Sequence, residues 1–170
     1  MLIKKKNPSI NSYYDDPDDS DDFFVESEHG FFPHWFHQET GKWNFTYQYP
    51  QIWFDLRDKW DRAGINYFQN SKNATLENRA YCIENPNNHK GYGTNVWGLT
   101  ACECPLHDSN YGAHGPRQDD DGTIAPAGAS GSMIFTPHES IEALRYMKEA
   151  HGDLFWWKYG FKDAFNLETV

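Results

Sequence analysis

The chain has 170 residues, a net charge of −10 and an isoelectric point near 5.1. An acidic surface repels a phosphate backbone, and the only lysine cluster is Lys4 to Lys6, so nucleic-acid binding is excluded. No run of about 18 apolar residues offers a membrane span, "MLIKKKNPSINS" has no apolar stretch of signal-peptide type, and three cysteines cannot all pair.

In chain order, residues 1–22 read as a flexible acidic tail, because "DDPDDSDD" places six Asp in eight positions with nothing to bury. A calcium loop would need spaced ligands, a turn glycine and a closing Glu, which this run lacks. Residues 23–170 are long enough for one domain with a core. "QYPQIWFDLRDKW" predicts a helix over 48–60, with Ile52, Trp53, Leu56 and Trp60 on one face and Pro50 in the first turn. A second helix is predicted over 65–84, with Ile65, Phe68, Leu76, Ala80 and Ile83 inward and a stop before Pro86. A third is predicted from Thr136 as N-cap, with Pro137 at its first position, Glu139 completing a capping box and Gly152 as its stop. Between the second and third lie roughly fifty residues of loop, a length that in a compact domain marks a functional region.

Within that loop, "YGTNVWGLTACECP" raises two readings for residues 92–105. Cys102, Cys104 and His107 form C-x-C-x2-H, with Cys82, His89 and His114 available as a fourth zinc ligand. The one-residue gap strains both thiolates onto one ion, so free cysteines are the favoured reading and no metal or cofactor is expected. The other reading is a substrate rim. Aromatics make up 17% of the chain and charged residues 24%, at a mean hydropathy of −0.85, and rings beside polar groups suit a wet cleft. Tyr92, Trp97, Glu103, Tyr111, Asp120, Asp121, Tyr159 and Asp163 supply the rings and carboxylates that a sugar site uses, and glycosidic hydrolysis requires two carboxyl groups. Each also has a structural reading: Trp97 as core, Asp120 or Asp121 in a turn, Asp163 as the N-cap of a short last helix.

"YQYPQIWFDLRD", "INYFQNSKNATLENRAYCIENP", "KGYGTNVWGLTACECP", "DDGTIAPAGASGSMIFTPHESIEALR" and "YGFKDAFN" resemble, in order, successive motifs of the glycoamylase-like domain, a group of glycoside hydrolases that includes endo-β-1,2-glucanases. The likeness covers residues 46–168. It implies an (α/α)6 toroid, inverting hydrolysis of β-glucan, and a pocket at one end of the helical ring. By this resemblance Asp163 is the catalytic base, with Glu103 and Asp121 as competing acids. Trp97, Tyr92 and Tyr159 are expected as substrate platforms, and Asp120, Gln48, Asp55 and Arg57 as further substrate contacts.

Where the family reads T-A-S-D-G-P, this chain reads Thr100, Ala101, Cys102, Glu103, Cys104 and Pro105, so two thiols replace small residues and the acid gains a methylene. Twelve helices of about 12 residues with loops of about 5 need roughly 200 residues, so the expected fold is all-α, a partial toroid with long functional loops. The family's general acid lies in the N-terminal half, which has no counterpart before residue 46. Residues 28–45, "EHGFFPHWFHQETGKWNF", match no family motif, and their rings are expected to seal the start of the fragment. The expected partners are an oligo- or polysaccharide and either a complementary N-terminal half or a second copy. The alternative is a non-catalytic carbohydrate-binding remnant of the same fold.

Overall fold

A computed structural model describes residues 24–27, 30–33, 44–62, 64–105 and 111–169. The expected acidic tail, His107 and most of the aromatic stretch 28–45 lie outside the described residues or their described side chains.

A hairpin of β1 (Phe24–Ser27) and β2 (Gly30–Pro33) precedes α1 (Asn44–Trp53) and α2 (Tyr67–Glu84). The loop region holds β3 (Ala101–Glu103), β4 (Tyr111–Ala113) and β5 (Thr123–Ile124). It leads into α3 (Pro126–Gly131) and α4 (Pro137–Phe155). The chain closes with β6 (Trp156–Trp157), β7 (Gly160–Phe161), β8 (Phe165–Asn166) and a 3-10 turn at Leu167–Thr169. Helices of 10, 18, 6 and 19 residues dominate, in keeping with the expected helical class, and among the described residues four short antiparallel ribbons accompany them, β1 with β2, β3 with β4, β5 with β8, and β6 with β7. Ribbons of two to four residues are too short for an alternating pattern to announce them.

The first helix begins and ends earlier than predicted. Pro50 stands in its interior, where the missing N–H leaves a turn unbonded, and the helix ends three residues later. Phe54 N–H still reaches Pro50 O, then Arg57 closes on Asp55, and Asp58 turns the chain at φ 54°. Leu56 and Trp60 therefore lie outside the helix, and Ile52 and Trp53 point into solvent.

The second helix starts at the cap Asn66, whose side chain accepts from Gln69 N–H at 2.9 Å, and stops at Asn85 in the left-handed conformation. Its inward face differs from the predicted one: Ile83 is exposed, Phe68, Leu76 and Ala80 are half-buried, and Ile65 is buried just ahead of the helix. The buried residues are Asn70, Ser71, Ala74, Thr75, Asn78, Tyr81 and Cys82, a largely polar stripe. Several of these buried groups bond across elements. Ser71 Oγ donates to Tyr47 O, while Asn78 exchanges two hydrogen bonds with the backbone of Leu99, at 2.9 and 3.0 Å.

The last long helix keeps Thr136 and Pro137 at its start, but Thr136 makes no capping bond. Its hydroxyl lies between Ser132 O and Ser140 Oγ instead. Gly152 does not stop this helix; it lies inside, and its carbonyl accepts from Trp156 N–H. The added turn carries Phe155 into the core, where it stacks on Phe165 at 4.0 Å between ring centroids.

The main core joins Tyr81 and Cys82 of α2 to Ala143, Met147 and Phe155 of α4, around Val96, Trp97 and Leu99. Val96 bridges only to Gly93, and residues 97–100 belong to no strand, so neighbours satisfy their backbone. Asn78 takes both groups of Leu99, Asn44 N–H donates to Leu99 O, and Ala125 N–H donates to Gly98 O. Gly98 has φ 132°, and a Cβ there would stand 2.6 Å from Ala125 O, so only glycine lets this segment meet α3.

Candidate functional site

Strand β3 alternates, and that alternation separates the acid from the thiols. Glu103 is exposed, while Cys102 and Cys104 are buried. Glu103 stands opposite the exposed Tyr111 of β4, and Asp163 Oδ2 accepts from Glu103 N–H at 2.7 Å. Asp163 follows the β6–β7 hairpin, whose turn uses Gly160 at φ 115°, and Lys162 N–H is bonded to Phe155 O. It is followed by β8 and a 3-10 turn, so it caps no helix of the expected kind. Glu103, Tyr111 and Asp163 thus share one exposed rim. Burial, then Asp163, Cys102 and Tyr49, push the Tyr111 phenol above its ordinary range. The Cys102 thiol is pushed up to about 12 by burial, with Asp163 as the next cause.

Behind the hairpin lies a cavity of about 980 Å3 whose lining includes Tyr81, Asn87, Cys104, His114, Arg117 and Asp119 to Asp121. Asp120 is its most enclosed acid, with a side chain 2% exposed. Its carboxylate accepts from Tyr92 at 2.6 Å, Tyr81 at 2.9 Å and Asn87 at 3.0 Å, with His89 Nε2 at 3.2 Å. Burial and this bond push the Tyr81 phenol up to about 12, and burial raises Tyr92 further. Asp121 Oδ1 accepts from Thr123 N–H at 2.9 Å and lies 3.4 Å from His114 Nδ1, ahead of Gly122 at φ 88°. That is the turn geometry weighed for it in the sequence.

The expected contacts therefore separate into distinct environments. Asp163 and Glu103 stand on the rim, and Tyr159, 86% exposed, offers a free ring with Lys158 Nζ 4.7 Å from its centroid. Asp120 and Asp121 face the cavity behind the hairpin, and Tyr92 is turned toward Asp120. Trp97, expected as a platform, is fully buried and has no face for a sugar. Gln48 donates to Gly128 O and Ser132 Oγ, both at 2.9 Å, and so ties α1 to α3. Asp55 and Arg57 line a separate groove of about 370 Å3 with Trp53, Phe54, Phe68 and Ile134. Sequence reading missed Tyr81 and Asn87 as partners of Asp120. The available signal was the polar stripe of α2, which Tyr81 continues at helical spacing from Asn78.

A family model described as "Putative glucoamylase" matches residues 32–170. An exo-β-1,2-glucooligosaccharide sophorohydrolase of Parabacteroides distasonis is 46% identical over 103 residues, covering 60% of this chain and 14% of that protein. Among solved structures, an endo-β-1,2-glucanase of Chitinophaga pinensis in complex with sophorotriose and glucose superposes with a TM-score of 0.77 at 34% identity, covering 85% of this chain and 34% of that one. A β-1,2-glucanase of Parabacteroides distasonis superposes with a TM-score of 0.67 at 41% identity, covering 73% of this chain and 17% of that one. The chain thus spans about a third or less of the length of these relatives. Since the family match runs through every described helix and through both acids of the rim, the chain belongs to the glycoamylase family.

Proposed function

We propose that the chain is the C-terminal part of a glycoside hydrolase domain of the α/α-toroid type, acting on β-1,2-linked glucan by an inverting mechanism with two carboxyl groups. The observation that carries this reading is the rim: Asp163 is fixed by the Glu103 amide, beside an exposed tyrosine, in a family whose relatives are named for β-1,2-glucans. In an inverting reaction one carboxylate takes a proton from the attacking water while a second group, on the opposite side of the sugar, protonates the leaving oxygen. Asp163 serves as the base. The 2.7 Å bond from Glu103 N–H occupies Oδ2 and leaves Oδ1 to meet the water. The acid belongs to the complementary half of the toroid, and Glu103 and Tyr159 contact the glucan.

The test is Asp163→Asn in a full-length enzyme rebuilt by supplying that half. The amide keeps an acceptor for the Glu103 N–H, so the fold persists while turnover falls by about a hundredfold or more. Near-normal turnover would move the base to Glu103 or Asp121. A second reading, a sugar-binding remnant without catalysis, draws on the exposed rings of Tyr111, Trp157 and Tyr159. It predicts glucan affinity that survives Asp163→Asn in a protein with no turnover at all.

A further inference from the structure

The surroundings of Cys104 are organised around its sulfur. Its Sγ lies 3.0 Å from His114 Nε2. The far nitrogen of that ring, Nδ1, donates to Asp119 O at 2.6 Å, which fixes the tautomer and leaves the Nε2 lone pair directed at the sulfur. Gly112 keeps this meeting point open: a Cβ there would stand 2.6 Å from Sγ and 3.2 Å from Nε2. The Asp121 carboxylate has Oδ1 3.4 Å from the far ring nitrogen Nδ1, and it turns toward Nε2 to join the sulfur and the ring on one ion; one ligand atom from each of the three residues already lies within 4.8 Å of the others. All three residues line the cavity that also holds Asp119 and Asp120, against Arg117 as its one cation among the lining residues.

We propose that Cys104, His114 and Asp121 form a binding site for Zn2+, with the fourth position open to water from the cavity. Zinc takes sulfur at about 2.3 Å and imidazole nitrogen at about 2.0 to 2.1 Å, which sets the two ligands roughly 3.5 Å apart in a tetrahedron. Thiol and ring need to separate by only about half an ångström from their present contact. The carbonyl of Asp119 supplies the outer-shell bond that a ligating histidine ordinarily makes. On binding, the sulfur–hydrogen bond is replaced by a sulfur–zinc bond and the proton leaves to solvent.

A cysteine nucleophile using the same three side chains is disfavoured. Burial, and then Asp121, push the thiol above its ordinary range, the opposite of what activates a cysteine nucleophile. The site also differs from the C-x-C-x2-H set of the sequence. Cys102 and Cys104 are both buried, on either side of the exposed Glu103, but the thiol that meets His114 is that of Cys104, ten residues before the histidine. Its consequence is a pin between the β3–β4 hairpin and the turn that carries Asp119 to Asp121.

The test uses the full chain after chelation, titrated with Zn2+ against a chromophoric competitor and, separately, with Co2+. The expected result is one equivalent bound and a thiolate-to-cobalt charge-transfer band in the near ultraviolet. Cys104→Ser should abolish the band, and His114→Gln should weaken Zn2+ binding by at least about tenfold. Cys102→Ser should retain both the band and the affinity. Absence of a cobalt band in the unsubstituted chain overturns the proposal without any variant needing to fold, and so does a band that Cys102→Ser removes.

Discussion

The loop segments 96–105 and 111–124 and the outer end of α1 place large side chains in opposite ways. In the first, Trp97 and Leu99 are fully buried, and the polar groups around them are tied across the chain by Asn78, Tyr81 and Tyr92. In the second, Ile52, Trp53, Phe54 and Trp60 are largely exposed, Trp53 at 77%. Exposed apolar groups of this kind favour association in water. The segment nearest the candidate site is thus locked by contacts within this chain, while the end of α1 carries an exposed apolar surface. The two regions should respond to substitution in different observables, the first in stability and the second in association.

The largest effect should come from Trp97→Ala, which empties the centre of the core and should cost about 3 to 5 kcal/mol in denaturant unfolding. Glucan affinity, measured on the fraction that remains folded, should change little, because the ring has no exposed face. A variant that loses affinity but keeps its unfolding midpoint would return Trp97 to the substrate surface and undo the contrast.

Next comes Asn78→Leu, which strands the buried Leu99 N–H and leaves Leu99 O with only the longer bond from Asn44 N–H, at 3.3 Å. One stranded donor and a weakened acceptor should cost about 1 to 3 kcal/mol. An unfolding midpoint within error of the parent would mean that other groups satisfy Leu99.

These two sites show what could be read from the sequence. The motif order and the existence of three long helices were accessible because long motifs and helix starts are local signals. The inward face of α2 was not. Its apolar residues have helical spacing, yet Asn70, Ser71, Thr75 and Asn78 are buried in their place, because an unpaired loop backbone needs side-chain partners more than the helix needs an apolar stripe. The same holds for Trp97: glycines on either side suggested an open rim, but Gly98 serves a backbone contact with α3. Cys104 read as incidental because its neighbour in sequence is Cys102, while its neighbour in space is His114.

A smaller change in stability, but a visible change in association, is expected from Trp53→Glu. The side chain is mostly exposed, so unfolding should shift by no more than about 0.5 kcal/mol. The chain alone should self-associate through the uncovered end of α1, and the added charge should move it toward monomer in light scattering coupled to size exclusion. A parent chain that is already monomeric would show that this face is tolerated in water and remove the need for a covering partner.

The smallest effect concerns Asp55 and Arg57, both at the exposed end of α1. Arg57 Nε donates to Asp55 Oδ1 at 2.8 Å, a second guanidinium nitrogen donates to Oδ2 at 3.0 Å, and the Arg57 amide donates as well. The side-chain bond, then the backbone bond, hold the Asp55 carboxyl at about 2. A lowered value means that the folded state favours the charged form. Any stabilisation is present above the unfolded value near 3.9 and is lost as pH falls through the folded one, so the window lies between about 4 and 2. Water surrounds the pair, so the unfolding midpoint at neutral pH should not move when Arg57→Gln removes the cation. The carboxyl itself should move. Followed by NMR, its titration midpoint should climb from about 2 toward the ordinary range near 3.9 in that variant. If the midpoint is already ordinary in the parent chain, the fork between the two residues does not persist in solution. Arg57 would then be free to meet a glucan hydroxyl in the adjoining groove, and the sequence-based assignment of Asp55 and Arg57 as substrate contacts would gain over the local ion pair.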